Sequence, residues 1–460
     1  MTTQNLTELN FLQSGQIKQD PESLQFYGKD WTTYFDIKAS AVLFPHNTED
    51  VQKIVQWAIK NKISLVPSGG RTGLSGAACA LNGEVVVSFE KMNVISDFNS
   101  IEGTVRVQAG VVTEALQQFA VENKLFYPVD FAAKGSSHIG GNIATNAGGI
   151  KVLRYGLTRD WVKSLKVVTG RGEILEFNYG LVKNATGLDF RHLFIGSEGI
   201  LGFITEATIQ LAQQPPELKV MLVSCESIPQ VMNTFQIFHH QAKLTAFEMF
   251  SDLALNHVMK AQSLPDPFSN KSPFYVVMEM EVASEAQQEI ILGCFEKALD
   301  EGFITDGILS QSEIQAKNFW KYRETISESL SPHSPYKNDI SVRVSKIPAF
   351  VDSLEAVLKS KYPNWEVVWF GHIGDGNLHI NILRPQGMTK EQFLKECQQV
   401  DPLVFQAVKD FQGSISAEHG VGLTKKNFLQ YSRSPEEINY MKEIKKIFDP
   451  MGIINPGKVI

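Results

Sequence analysis

Ile63-Ser64-Leu65-Val66-Pro67-Ser68-Gly69-Gly70-Arg71-Thr72-Gly73-Leu74-Ser75-Gly76 reads as a short apolar strand running straight into a glycine-rich turn. Glycine permits positive φ, and bare backbone lets successive N–H groups point at a phosphate. The hydroxyls of Ser68, Thr72 and Ser75 add donors at the same place. Two further stretches have this character: Gly140-Gly141-Asn142-Ile143-Ala144-Thr145-Asn146-Ala147-Gly148-Gly149, where Thr145 adds a hydroxyl, and Gly196-Ser197-Glu198-Gly199-Ile200-Leu201-Gly202. Any one of them reads equally well as a tight surface turn. Together, ahead of residue 205 and nearly uncharged, they point to a large ligand whose pyrophosphate lies along backbone rather than in the grip of Lys and Arg. Neither GxGxxG nor GxxxxGK[ST] occurs, which argues against a Rossmann nucleotide site and a P-loop.

Outward from the first glycine turn, residues 48–60 place Val51, Ile54, Val55 and Ala58 on one helical face, with Thr48 as the expected N-cap. Strands are expected at 85–89 and 105–109, and an amphipathic helix at 113–124 through Leu116, Phe119 and Ala120. This mixture predicts an α+β unit of about 200 residues. The pattern breaks at Gln213-Gln214-Pro215-Pro216-Glu217. Strand-like runs at 218–224 and 274–282 follow, interleaved with helical stretches, and a helix spans 435–449 before Pro450. The expected organisation is a first region over 1–215, a second α+β region over 216–410 and a C-terminal segment over 411–460.

The chain has 460 residues, room for two or three domains, a net charge of −7 and no Lys/Arg-rich run. Nucleic acid is therefore not an expected partner. The four cysteines, Cys79, Cys225, Cys294 and Cys397, are scattered and form no CxxC, which fits a reducing compartment. The opening MTTQNLTELNFLQSGQIKQD lacks the basic and apolar regions of a signal peptide. No run of about 18 apolar residues occurs, so no membrane span is expected. A cytoplasmic location is the expectation.

The strongest local signal lies at 366–383, EVVWFGHIGDGNLHINIL. Asp375-Gly376 between apolar flanks predicts a two-residue hairpin. In that register His372 opposes His379, with Cβ atoms about 4.5–5.5 Å apart, close enough for two imidazoles to converge on one metal ion. Asn381 lies on the same face. Downstream, Ser416-Ala417-Glu418-His419-Gly420-Val421-Gly422 offers Glu418 as a third ligand and His419 as a general base. Isolated histidines are ordinarily surface or core residues; the cross-strand pair with a Glu-His downstream is what points to a metal. A third group gathers positive charge. Arg323 and Ser327 are expected on one helix face at i,i+4, Lys337 follows a Ser/Pro-rich loop, and Arg343 is expected in a strand over 340–344. Arginine grips a carboxylate with two parallel hydrogen bonds.

These motifs together resemble the FAD-linked oxidases and dehydrogenases with the vanillyl-alcohol-oxidase-type fold. The carriers are PSGGRTGLSG (67–76), PVDFAAKGSSHIGGNIATNAGG (128–149), LFIGSEGILGFITEA (193–207), GHIGDGNLHINI (371–382), SAEHGVG (416–422) and INPGK (454–458). Within the family the motifs look most like those of the D-2-hydroxyglutarate dehydrogenase branch, beside the D-lactate dehydrogenases and the glycolate oxidase flavoprotein subunits. The resemblance implies an α+β fold: a two-part FAD-binding domain, an α+β cap domain and a C-terminal helical segment. It implies FAD contacts from Ser68, Gly69, Gly70, Arg71, Thr72, Gly73 and Ser75, from Gly140, Gly141, Asn142, Thr145, Ala147 and Gly148, and from Gly199, Ile204 and Asn455.

The resemblance also implies a divalent metal, zinc by preference, on His372, His379 and Glu418, with His419 as catalytic base. Arg323, Ser327, Lys337 and Asn381 match substrate-binding positions. Ser327 stands where a Thr is common, and Arg343 stands where relatives carry Pro in a DxxxP pattern. Some relatives attach the flavin covalently through a His where this chain has Arg71, so non-covalent FAD is expected.

The implied activity is oxidation of a D-2-hydroxy acid to the 2-oxo acid with hydride transfer to flavin N5. The nearest branch favours D-2-hydroxyglutarate, with D-lactate, D-malate and glycolate as alternatives. Electron-transfer flavoprotein, a quinone or a cytochrome is the implied acceptor. Oligomeric state stays open, a homodimer or a subunit of a larger complex included. A flavin-free zinc hydrolase, resting on the hairpin alone, is the competing class, and a visible absorption spectrum separates the two.

Overall fold

The helical periodicity around Val51 is realised in the helix Thr48–Asn61, whose Val51, Ile54, Val55 and Ala58 are fully buried. Its cap differs from expectation. Asn47 accepts from the Asp50 N–H, while Thr48 is the first helical residue and its hydroxyl donates to Thr205 Oγ1 at 3.0 Å. Asn and Thr are both competent caps, and the tertiary partner decides which side chain stays local.

The computed structural model describes residues 6–13, 15–32 and 34–460, and the chain divides into two units. The first comprises Met1–Gly149, Gly156–Gln214 and Glu418–Ile460. One of its sheets runs in the order Ile17–Lys18, Ala41–Leu43, Val85–Ser88, Leu65–Ser68. Val85–Ser88 lies parallel to both Ala41–Leu43 and Leu65–Ser68. Parallel strands need a crossover, and Thr48–Asn61 fills it. The first glycine turn leaves the C-terminal end of Leu65–Ser68, the end of a parallel sheet where ligands collect. The other large sheet of this unit is antiparallel, in the order Ile95–Asn99, Thr104–Gln108, Gly202–Gln210, Val162–Thr169, Ile174–Phe177.

The second unit comprises Ile150–Tyr155 and Pro215–Ala417, so the Pro-Pro break falls where the first unit hands over to it. Its seven-stranded antiparallel sheet has the order Asp306–Leu309, Glu217–Cys225, Phe274–Val282, Leu244–Ser251, Val367–Gly371, Asn377–Ile382, Tyr336–Ser341. Val220, Leu222, Phe250, Tyr275, Val368 and Phe370 form its core with Phe319 and Trp320 of the helix Glu313–Glu324. No helix among the described residues is long and apolar enough to cross a membrane.

Candidate functional site

In the first unit the glycine segments divide by what surrounds them. A Cβ on Gly70 would lie 2.1 Å from the Ser136 carbonyl oxygen, and one on Gly140 would lie 2.6 Å from Ala109 Cβ. Those glycines are bare because backbone crosses close to them. A Cβ on Gly141 meets nothing within 4 Å, and one on Gly69 meets nothing nearer than His138 Cβ at 3.6 Å, so these two leave room for a ligand. Gly199, at φ +72°, packs on Pro67, and Gly73 lies beside Asp30. Thr72 is half-buried and Gly148 is buried; Ile204 sits in the strand Gly202–Gln210.

The hydroxyls expected to face a ligand turn elsewhere. Ser68 Oγ donates to the Tyr27 carbonyl at 3.1 Å, Ser75 Oγ to Glu198 at 3.3 Å and Thr145 Oγ1 to the Gly141 carbonyl at 3.1 Å. A hydroxyl has one hydrogen, so these donors are already in use. Asn142 Nδ2 donates to Thr113 at 2.7 Å, and Ala147 accepts through its carbonyl from Thr158. Arg71, at φ 60°, lays its guanidinium over the Phe26 ring, 4.3 Å from the centroid, and near the Tyr27 ring at 4.8 Å. Asn455 is fully buried. Its Nδ2 donates to the Ala77 and Glu198 carbonyls, while its Oδ1 has no partner among the described residues.

Glu418 and His419 open the last segment of the first unit. Glu418 Oε1 accepts from the Gly149 N–H at 2.9 Å, which ties it to the end of the second glycine segment. The loop beyond is held by Glu198, a residue whose role sequence reasoning missed. Glu198 is buried and accepts from Val421 N at 2.7 Å and Gly422 N at 2.9 Å. Burial pushes its carboxyl up to about 7, and those backbone donors pull against the rise.

A carboxyl raised from 4.5 to about 7 stabilises the fold below pH 4.5, and that stability is lost as pH climbs through 7. At about 1.4 kcal/mol per unit, the difference amounts to about 3 kcal/mol. The stability of the wild type relative to Glu198→Gln should therefore fall by that order between pH 4.5 and 8. Denaturant titration at several pH values measures it, and a flat difference contradicts the assignment.

The second unit brings the remaining residues together, with a correction to the register. Phe370, not His372, opposes His379, because pairing ends at Phe370↔His379 and residues 372–376 form a longer connection. The His372 carbonyl accepts from both Asp375 N and Asn377 N within this loop. Gly376, at φ +94°, passes so close to Val342 that a Cβ would lie 2.2 Å from its carbonyl oxygen. The imidazoles still meet. Their ring centroids are 5.4 Å apart at 79°, and one nitrogen of each lies within 4.8 Å of the other.

The registers explain why these side chains share a face. Phe250 opposes Phe370, Phe370 opposes His379, His379 opposes Asp339, and Lys337 opposes Asn381. Opposed residues share a face, as do residues two apart in one strand. Continuing Met249↔Gly371 by one step puts Glu248 opposite His372. Glu248 Oε1 lies 2.8 Å from His372 Nδ1, and Glu248 Oε2 lies 2.9 Å from Arg323 Nη2. The Arg323 guanidinium lies 5.1 Å from the Phe370 ring centroid. His379 Nδ1 is 3.8 Å from Asp339 Oδ1.

Several donors here lack acceptors among the described residues. They are Asn381 Nδ2 and, on the buried Arg323, Nε and Nη2, the latter held to Glu248 by charge at 2.9 Å without hydrogen-bond geometry. Lys337 has no carboxylate partner among the described residues, and withdrawal from water lowers its pKa.

Two sequence expectations fail. The helix carrying Arg323 ends at Glu324, Thr325 breaks it at ψ 3°, and Ser327 belongs to the separate helix Ile326–Leu330. Arg323 is buried and Ser327 exposed, so they do not share a helical face. Arg343 lies past the strand Tyr336–Ser341, at the start of a 3₁₀ turn, and is exposed. Glu248, like Glu198, was not singled out. The available signal was a lone carboxylate inside the apolar strand Leu244-Thr245-Ala246-Phe247-Glu248-Met249-Phe250, which a buried strand cannot carry unpaired.

Comparison with known proteins bears on the family and the fold. Residues 214–459 match the family described as FAD linked oxidases, C-terminal domain, and residues 39–178 match that described as FAD binding domain. The chain is 54% identical over 448 residues to D-2-hydroxyglutarate dehydrogenase of Stutzerimonas stutzeri, covering 97% of each. It is 51% identical to that of Xanthomonas citri, over 96% of this chain and 94% of the other. It is 37% identical to the mitochondrial protein of that name from Bos taurus, over 99% and 83%. Among solved structures it shares the fold of 4-ethylphenol oxidase from Gulosibacter chungangensis, at a TM-score of 0.77 and 17% identity over 100% and 98% of the two chains. It shares it equally with p-cresol methylhydroxylase, at a TM-score of 0.76 and 15% identity over 100% and 97%.

Proposed function

The chain belongs to the family of FAD-linked oxidases and dehydrogenases, and from that premise we propose that it oxidises D-2-hydroxyglutarate, a D-2-hydroxy acid with a second carboxylate, to 2-oxoglutarate. The observation that carries the choice of substrate is a set of open groups on the unit that also holds the two imidazoles: Arg323 Nε and Asn381 Nδ2, which lack hydrogen-bond acceptors among the described residues, and Lys337, which lacks a carboxylate partner there. Buried donors left open cost free energy, and an anionic ligand satisfies them.

The residues fit the groups the family implies. Open backbone at Gly69 and Gly141 suits a pyrophosphate, and the orphaned Asn455 Oδ1 suits a ring N–H of a flavin. With Nδ1 engaged by Glu248, His372 would present Nε2 to a cation together with His379. In this reading His372, His379 and Glu418 hold a divalent metal, zinc by preference. When bound, FAD supplies the hydride acceptor and the metal supplies Lewis acidity toward the 2-hydroxyl. His419 accepts the hydroxyl proton on a ring nitrogen. Arg323, Lys337 and Asn381 hold carboxylate oxygens and fix which face of C2 is presented. Ser327 and Arg343, both exposed, remain proposed as further substrate contacts. Electrons leave to an electron-transfer flavoprotein, a quinone or a cytochrome, and the expected location is cytoplasmic.

Steady-state assays with a dye acceptor test the substrate. Against D-lactate and glycolate, which leave donors unmet, kcat/KM should favour D-2-hydroxyglutarate by about 10²-fold or more. Equal efficiencies overturn the choice. The Arg71 guanidinium offers no flavin-linking nucleophile, so acid precipitation should release the yellow colour to the supernatant. Colour retained on the pellet contradicts non-covalent binding.

A further inference from the structure

We infer that Glu248 is a positioning residue that couples the metal-binding imidazole to the substrate-binding guanidinium, an inference that rests on the reading just given. Glu248 is 1% exposed in the middle of the sheet. One oxygen is 2.8 Å from His372 Nδ1 and the other 2.9 Å from Arg323 Nη2. An acceptor at Nδ1 fixes the tautomer that carries its hydrogen there and leaves Nε2 as the electron-pair donor. Such a carboxylate orients a metal-binding histidine and raises its basicity. The opposite oxygen draws Arg323 along the Phe370 ring and leaves its Nε aimed at neither group. A shift of either partner is thereby felt by the other through one rigid carboxylate. The sequence does not name its partners, because Glu248 and His372 are 124 positions apart.

Two substitutions separate the claim from mere packing. Glu248→Gln keeps volume and one acceptor but points an amide N–H₂ at Arg323. Glu248→Leu removes both contacts. Each is purified as the full-length, FAD-loaded chain. Zinc affinity is measured by competition with a chromophoric chelator, KM and kcat with D-2-hydroxyglutarate, and flavin content and thermal midpoint as controls.

Glu248→Leu should weaken zinc binding by about 10–100-fold. Glu248→Gln should keep most of the zinc affinity and raise KM at least 10-fold with kcat changed less. Flavin content should stay at the wild-type level in both. Should Glu248→Leu fail to fold, Glu248→Gln alone decides through its KM-against-kcat split. A wild type that binds zinc, beside variants with unchanged affinity and KM, overturns the positioning role and leaves the metal reading standing. A wild type that binds no zinc overturns both.

Discussion

Replacing His419 by asparagine should lower kcat by about 10²–10⁴-fold while FAD stays bound. The size follows from the task. Hydride can leave C2 readily only as the 2-hydroxyl loses its proton, and in this reading His419 is the group that takes it. Asparagine keeps a polar planar side chain but has no basic nitrogen. The loop itself is held through main chain, by Val421 N and Gly422 N on Glu198 and by Leu423 N on the Ser75 carbonyl, so it should persist without the imidazole. Stopped-flow reduction of the bound flavin reads the step directly. Reduction within a few-fold of wild type removes His419 from the base role.

Lys337→Met should lower kcat/KM for D-2-hydroxyglutarate by about 10²-fold and leave the protein as stable as before or more so. Truncating one partner of a buried charge pair costs about 2–5 kcal/mol when the ligand is bound. Without ligand the balance reverses. Lys337 is withdrawn from water with no carboxylate partner among the described residues, and that withdrawal already lowers its pKa. Methionine fills similar space with no charge to desolvate. A functional group held at a cost to the fold should thus reveal itself by activity and thermal midpoint moving in opposite directions. A parallel fall of both would assign Lys337 to structure.

The fold and site were legible to different depths. The glycine segments could be read because bare backbone leaves a compositional trace. What each glycine is for could not, since the Ser136 carbonyl over Gly70 and the Ala109 methyl beside Gly140 come from elsewhere in the chain. The histidine hairpin differs in register from the expected one, and the two imidazoles are nonetheless neighbours, with ring centroids 5.4 Å apart. Asp375-Gly376 looks like a two-residue turn, whereas the strands separate at Phe370↔His379. The difference between the two registers is two residues, which preserves the period-two alternation, so both imidazoles stay on one side. Arg323 and Ser327 failed for the opposite reason. Their i,i+4 spacing assumed one unbroken helix, and a break at Thr325 rotates the second away. Glu248 shows in the sequence only as a lone carboxylate in an apolar run, and Glu198 only as one acid within a glycine segment. Each is defined by partners far along the chain, and only a fold places them.

In this reading a flavin on the first unit takes a hydride from a dicarboxylic D-2-hydroxy acid. Anaerobic mixing of the purified protein with the two enantiomers of 2-hydroxyglutarate tests it most directly, with absorbance followed across the flavin bands. The yellow colour should bleach rapidly with the D-acid and persist with the L-acid. A colourless protein, or a flavin that neither enantiomer reduces, would contradict the account.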